Sequence, residues 1–285
     1  MSETIEPVLM HVEHITKEFP LPAGGRLKAG DDISIAIRKG ETTAIVGESG
    51  SGKSTLARTI MGLYTPDSGQ VMFHGEDITR LRGEAKRQNY RHIQMVFQDP
   101  ATAFNPKMKI KDIICEPLLS FAVIRRREVA DRARDLLQLV DLPAEFADRY
   151  PHSLSGGQRQ RVAIARALAL EPEIIICDEA TSALDVSVQD SVIRLLVKLQ
   201  REKGITYLFI CHDLALVSLF SHQVVVMKKG RVVEQLPGAL LTEAHHPYTQ
   251  ALLRSVFSVH SRDVDLSARS GSPVKCGDQQ EVAYV

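Results

Sequence analysis

TTAIVGESGSGKSTLARTIMGL, residues 42–63, passes from a β-branched, apolar run through a glycine-rich loop into a segment with helical periodicity. The loop fits G-x-x-x-x-G-K-[ST], with Gly47, Gly52, Lys53 and Ser54 in the required places, Glu48, Ser49, Gly50 and Ser51 between them, and Thr55 following. Strand, loop and helix in this order form a phosphate cradle: glycines let the backbone curl and present its N–H groups to a β-phosphate. Lys53 supplies a point charge to β- and γ-phosphates, and the Ser54 hydroxyl is a candidate Mg²⁺ ligand.

Two further strand ends carry the matching chemistry. In EIIICDEATSALD (173–185) a buried run closes on Asp178 and Glu179. Asp178 is placed to hold Mg²⁺ through water, and Glu179 to orient and polarise an attacking water as general base. FICHDLALV (209–217) repeats the pattern, ending a run in His212 and Asp213. A strand-end histidine alone reads as structural; beside the other two elements, His212 reads as a γ-phosphate ligand. A second glycine element, SLSGGQRQR (153–161), opens a helix whose first N–H groups would form an anion site, yet it has no lysine.

The rest of the 285-residue chain has ordinary globular composition, 44% hydrophobic and 25% charged. Lys+Arg 35 balances Asp+Glu 35, so the composition does not suggest a general nucleic-acid or anionic-membrane binder. No apolar stretch approaches the ~20 residues that span a bilayer, and MSETIEPVLMHVEH lacks signal-peptide order, so a cytoplasmic location is expected. Cys115, Cys177, Cys211 and Cys276 show no CxxC spacing, and Cys177 and Cys211 read as small buried hydrophobes. Residues 1–46 read as short strands and turns, VMFHGEDIT (71–79) and QVVVMKKGRVVE (223–234) each as one strand. Helical periodicity marks IKDIICEPLL and REVADRARDLLQLVDL, and HHPYTQALLRSVF near the end.

Taken together the motifs resemble the ATP-binding cassette ATPases over almost the whole chain: P-loop 47–55, Gln98 in VFQDP, LSGGQ 154–158, IIICDE 174–179, SALD 182–185 with Asp185, and His212. The resemblance implies an α/β fold: a P-loop NTPase (RecA-like) core with an N-terminal antiparallel β subdomain and an inserted helical subdomain. The expected division is 1–98 and 158–235 for the ATP-binding core, 99–157 for the helical subdomain ending in the signature, and 236–285 for a C-terminal extension. It also implies ATP and Mg²⁺ as ligands, with Gln98 joining Ser54 and Asp178 around the metal. Two cassettes would stack head to tail, so that Ser155, Gly156, Gly157 and Gln158 of one chain complete the site on the P-loop of the other. Phe19 in ITKEFP stands where the family places an aromatic against adenine; stacking and core packing both remain open for it.

FQDPATAFNPKMKIKDIICEPL, DRYPHSLSGGQRQR, LDVSVQ, STLAR and HPYTQALL (246–253) are similar to the peptide/nickel importer group. That implies an ATPase bound to two permeases at the cytoplasmic face of the inner membrane, a second cassette subunit, and indirect coupling to a solute-binding protein, with no nucleic-acid partner. Di- or oligopeptides, nickel and opines are the candidate solutes. Longer members of the group hold an iron–sulfur cluster on several C-terminal cysteines; with Cys276 alone in that region, none is expected here. A DNA-repair or translation ATPase would share the nucleotide motifs but adds coiled-coil, zinc or second-cassette modules. A metabolic phosphotransferase has no use for LSGGQ.

Overall fold

The computed structural model describes residues 7–22 and 24–260; Cys276 and the expectation of no cluster lie outside them. The chain opens on a long antiparallel hairpin, β1 (Val8–Pro20) and β2 (Arg26–Arg38), paired from Val8↔Arg38 to Pro20↔Arg26. Short strands were expected here, and the reason for the difference is local. His14 and Asp32 take left-handed backbone (φ 53° and 57°), and the register shifts on both sides of Ile15. These bulges reset the apolar alternation, so that one long strand reads as two short ones. β4 (Ser68–Phe73) and β5 (Glu76–Asp77) complete a four-stranded sheet in the order β2-β1-β4-β5. VMFHGEDIT is thus a hairpin, turned by left-handed His74 and Gly75, a two-residue geometry that suits the sheet's twist.

The larger sheet runs β10-β9-β3-β8-β7-β6. Its members are β3 (Thr42–Val46), β6 (Ile93–Val96), β7 (Ile174–Asp178), β8 (Thr206–Ile210), β9 (Gln223–Lys228) and β10 (Arg231–Pro237). All neighbours pair in parallel except β10, which returns antiparallel through left-handed Lys229 and Gly230; QVVVMKKGRVVE is therefore also a hairpin. Every residue of TTAIV, IIICD and TYLFI is buried, as strands covered on both faces require.

Alternate residues of these strands feed two cores. Ile45, Ile176, Leu208, Ile210 and Met227 face Met10, Ile33, Ile35 and α1 (Lys53–Ile60), which lies between the two sheets. Ala44, Val46, Cys177, Phe209 and Val226 face a helical layer. That layer contains α4 (Ile110–Ser120), α5 (Val129–Leu139), α6 (Gly156–Leu168), α7 (Val186–Lys203), α8 (Leu214–Phe220) and α9 (Pro247–His260). α2 (Gly83–His92) precedes β6, and the short α3 (Pro100–Ala103) follows it. Ile110, fully buried, is core. Phe104 is buried too, and also lines a cavity of about 370 Å³ between β6 and the helices, along with Met95, Phe97, Pro117, Phe121 and Ala163.

Candidate functional site

The central strand β3 delivers the glycine-rich loop to the sheet's carboxyl edge, beside the ends of β8 and β9. Gly47 (φ 149°) packs so closely that a Cβ would overlap the Met227 carbonyl oxygen, and at Gly52 (φ 103°) a Cβ would overlap that of Ala29. Only glycine fits at either position. Gly52 caps α1 without any side-chain bond, leaving the first helical N–H groups facing the loop. Lys53 folds back over it, its Nζ donating to Gly47 O (2.8 Å), Glu48 O (2.9 Å) and Ser51 Oγ (3.4 Å). Lys53 is 4% exposed, and all three acceptors are neutral oxygens. Burial pulls the Lys53 pKa down; the charges of Glu179, Asp178 and Glu48 act against that. A buried ammonium so placed calls for an anion.

β8 separates β3 from β7, and across it the Ser54 hydroxyl donates to Asp178 Oδ1 at 2.7 Å. Asp178 is the last, buried residue of β7, paired with Ile210. A hydroxyl and a carboxylate oxygen in contact are the hard-oxygen donors that Mg²⁺ takes, so these residues fit that ion. Glu179 leaves the strand in left-handed conformation (φ 51°), its N–H donating to Ile210 O at 3.0 Å, and its side chain is half-buried. Ser182 ties the following turn together. Its hydroxyl donates to Glu179 O (3.0 Å) and accepts from Gln98 Nε2 (3.3 Å), which brings the end of β6 to the end of β7. Asp185 caps α7, accepting from Val188 N at 3.0 Å.

His212 follows β8, where Cys211 N donates to Ile45 O (3.2 Å) and so fastens this strand end to β3. Asp213 caps α8 through Ala215 N and Leu216 N, leaving the His212 side chain exposed.

Among the described residues the second glycine element makes no hydrogen bond to the P-loop. Ser155 is the N-cap of α6 in a reciprocal capping box: Gln158 N donates to Ser155 Oγ (3.3 Å) and Ser155 N to Gln158 Oε1 (3.0 Å). Ser155 and Gly156 are exposed, whereas Gly157 is buried against α7, where a Cβ would overlap Val188 Cγ1. Arg161 braces the helix from behind through Val140 O (2.7 Å) and Ser191 Oγ (2.8 Å).

Phe19 is half-buried on β1, its ring edge-on to Tyr64 (centroids 5.3 Å, 75°) with Lys17 Nζ 5.5 Å away. Tyr64 is a neighbour that sequence reasoning missed, since nothing in the run after α1 marks it. Tyr248 was missed as well. The HPYTQALL run drew attention to its segment, but no periodicity tells that its hydroxyl meets the backbone of Glu48.

The ABC transporter family model matches residues 30–182. Two curated relatives are the oligopeptide transport ATP-binding proteins AppF and OppF of Bacillus subtilis. AppF is 47% identical over 265 residues, 90% of this chain and 80% of its own length. OppF is 47% identical over 251 residues, 87% and 82% of the two chains. Among solved structures, the dimeric ATP-binding cassette MJ0796, in a post-hydrolysis state with ADP and Pi, superposes with a TM-score of 0.71 at 31% identity, covering 80% of this chain and 98% of that one.

Proposed function

The chain belongs to the ABC transporter family of ATP-binding cassettes, and from that premise we propose that it is the ATP-hydrolysing motor of an importer for di- or oligopeptides. The observation that carries the reading is the Ser54–Asp178 contact next to the buried Lys53, which joins the phosphate cradle to the carboxylate strand at the sheet's carboxyl edge. The P-loop N–H groups of residues 47–55 and Lys53 bind the phosphates of ATP. Ser54 and Asp178, with Gln98 alongside, would hold Mg²⁺, which when bound would supply positive charge against the phosphate oxygens. Glu179 takes a proton from the attacking water, and His212 orients the γ-phosphate. Phe19, backed by Tyr64, offers a ring face to adenine.

Ser155, Gly156, Gly157 and Gln158 complete the site of a second cassette, whether a copy of this chain or a sister chain. Their exposed helix start has no lysine because the opposite P-loop supplies it. Asp185, exposed at the start of α7, stands between Leu184 and Val188, whose side chains lie against Gly156 and Gly157. The core (1–98 and 158–235) performs the chemistry, and the helical subdomain (99–157) carries the closing motion to two permeases. The cavity walled by Met95, Phe97, Phe104 and Phe121 receives a permease segment. Among the described residues no helix is long and apolar enough to cross a membrane, and attachment at the cytoplasmic face is through the permeases. The solute-binding protein is met only through them.

Glu179→Gln tests the assignment. It keeps the volume and removes the base, so ATP should bind with unchanged affinity and accumulate unhydrolysed in a closed dimer. Retained phosphate release would sink the assignment of Glu179.

A further inference from the structure

Glu48, the second residue of the P-loop, is gripped from outside the loop. Its N–H donates to the hydroxyl of Tyr248 at 3.1 Å, and its carbonyl accepts from Lys53 Nζ at 2.9 Å. One peptide unit on each side of Glu48 therefore links a side chain of α9 to the place where the ammonium rests. The grip is itself built. Tyr248 is 7% exposed, and Lys228 Nζ stands 4.3 Å from its ring centroid. Glu234 Oε1 accepts from His245 N (2.7 Å) and His246 N (3.1 Å), fixing the approach to α9 from β10. His246 Nδ1 accepts from Tyr248 N (3.1 Å), and Gln250 Nε2 donates back to Ala244 O (3.0 Å). α9 also packs Leu253, together with Tyr248 itself, into the helical core. A run of polar contacts this dense, ending on a P-loop amide, is more than surface docking of a helix requires.

We infer that Tyr248 is a positioning residue for nucleotide: through Glu48 it sets the opening turn of the P-loop and the resting place of Lys53, making residues 244–253 part of the ATP site. This rests on the reading that the P-loop binds ATP. Burial pushes the Tyr248 pKa up from its ordinary value, which keeps a neutral hydroxyl against Glu48. Tyr248→Phe removes that hydroxyl alone and leaves the ring under Lys228. A neutral hydrogen bond of this kind corresponds to roughly a 3- to 10-fold change in equilibrium constant.

The test is calorimetric titration of the full chain and of Tyr248→Phe with MgATP, alongside thermal melts and hydrogen exchange at the Glu48 amide. Expected are a 3- to 10-fold higher Kd, a matching rise in KM with kcat within about twofold, and faster exchange at Glu48, with Tm lowered by no more than about 2–4 °C. Lys228→Met, which frees the ring but keeps the aliphatic stem, should move Kd in the same direction by a smaller factor. An unchanged Kd in folded Tyr248→Phe overturns the inference, as does a loss of kcat at constant KM. If the parent chain does not bind MgATP, or binds it equally well as Lys53→Ala, the ATP-site reading itself fails, and the titration separates the two cases.

Discussion

Ser155→Ala separates the two tasks assigned to one hydroxyl. Within the chain, Ser155 Oγ caps α6 by accepting from Gln158 N at 3.3 Å, while Gln158 Oε1 holds the Ser155 amide at 3.0 Å. Alanine removes the first of these bonds and leaves the second. Loss of a serine N-cap costs about 1 kcal/mol, or roughly 2–4 °C in Tm for a domain of this size class. Across a dimer the same hydroxyl would donate to a phosphate oxygen, a charge-assisted bond of roughly 1.5–3 kcal/mol, so turnover should drop about 10- to 150-fold. The isolated chain's own ATP affinity should not move, because among the described residues the exposed Ser155 bonds only to its own helix and not to the P-loop. Three readings of one variant are therefore needed: thermal melts, equilibrium ATP binding by the dilute chain, and phosphate release when it is paired with a second cassette. A fall in intrinsic ATP affinity alongside turnover would refute the trans assignment. So would a turnover loss no larger than the stability loss explains.

Other expectations follow from the same geometry. Gly47→Ala drives a Cβ into the Met227 carbonyl at a left-handed φ, so ATP binding should be lost and Tm lowered by several degrees in a thermal shift assay. Burial pushes the Cys115, Cys177 and Cys211 thiols up from 9.0 to about 11, 12 and 12. With folded values above unfolded ones, this contribution is whole below pH 9 and is lost as pH climbs from 9 toward 12. Melts between pH 8 and 11 should show Tm flat at first and then falling. A Tm that rises across that range would contradict the burial of these thiols.

Much of the site was legible because its parts are local. GESGSGKST carries its own loop geometry, and both IIICDE and FICHD announce a buried strand ending in polar groups. Placing those ends side by side needs only a parallel sheet, and the order β3-β8-β7 does so. What escaped reading depends on backbone conformation or distance in sequence. The bulges at His14 and Asp32 hid the length of β1 and β2, because alternation is lost wherever φ turns positive. The turns at His74–Gly75 and Lys229–Gly230 split expected single strands; in both, a Gly in second place was the available signal. Gln158 reads from its motif as a nucleotide contact in trans; the motif does not announce that its side chain also closes the cap on Ser155 within the chain. Tyr248 meets Glu48 across 200 residues, and no periodicity in either segment encodes that meeting.

In the proposed dimer each chain holds half of two sites. This is tested by following MgATP binding and phosphate release over a dilution series, with the oligomeric state read by sedimentation at each point. The expected result is ATP bound stoichiometrically by the monomer, turnover per chain that vanishes as dimers dissociate, and recovery when a second cassette is added. A monomer that hydrolyses ATP at the undiluted rate would contradict it.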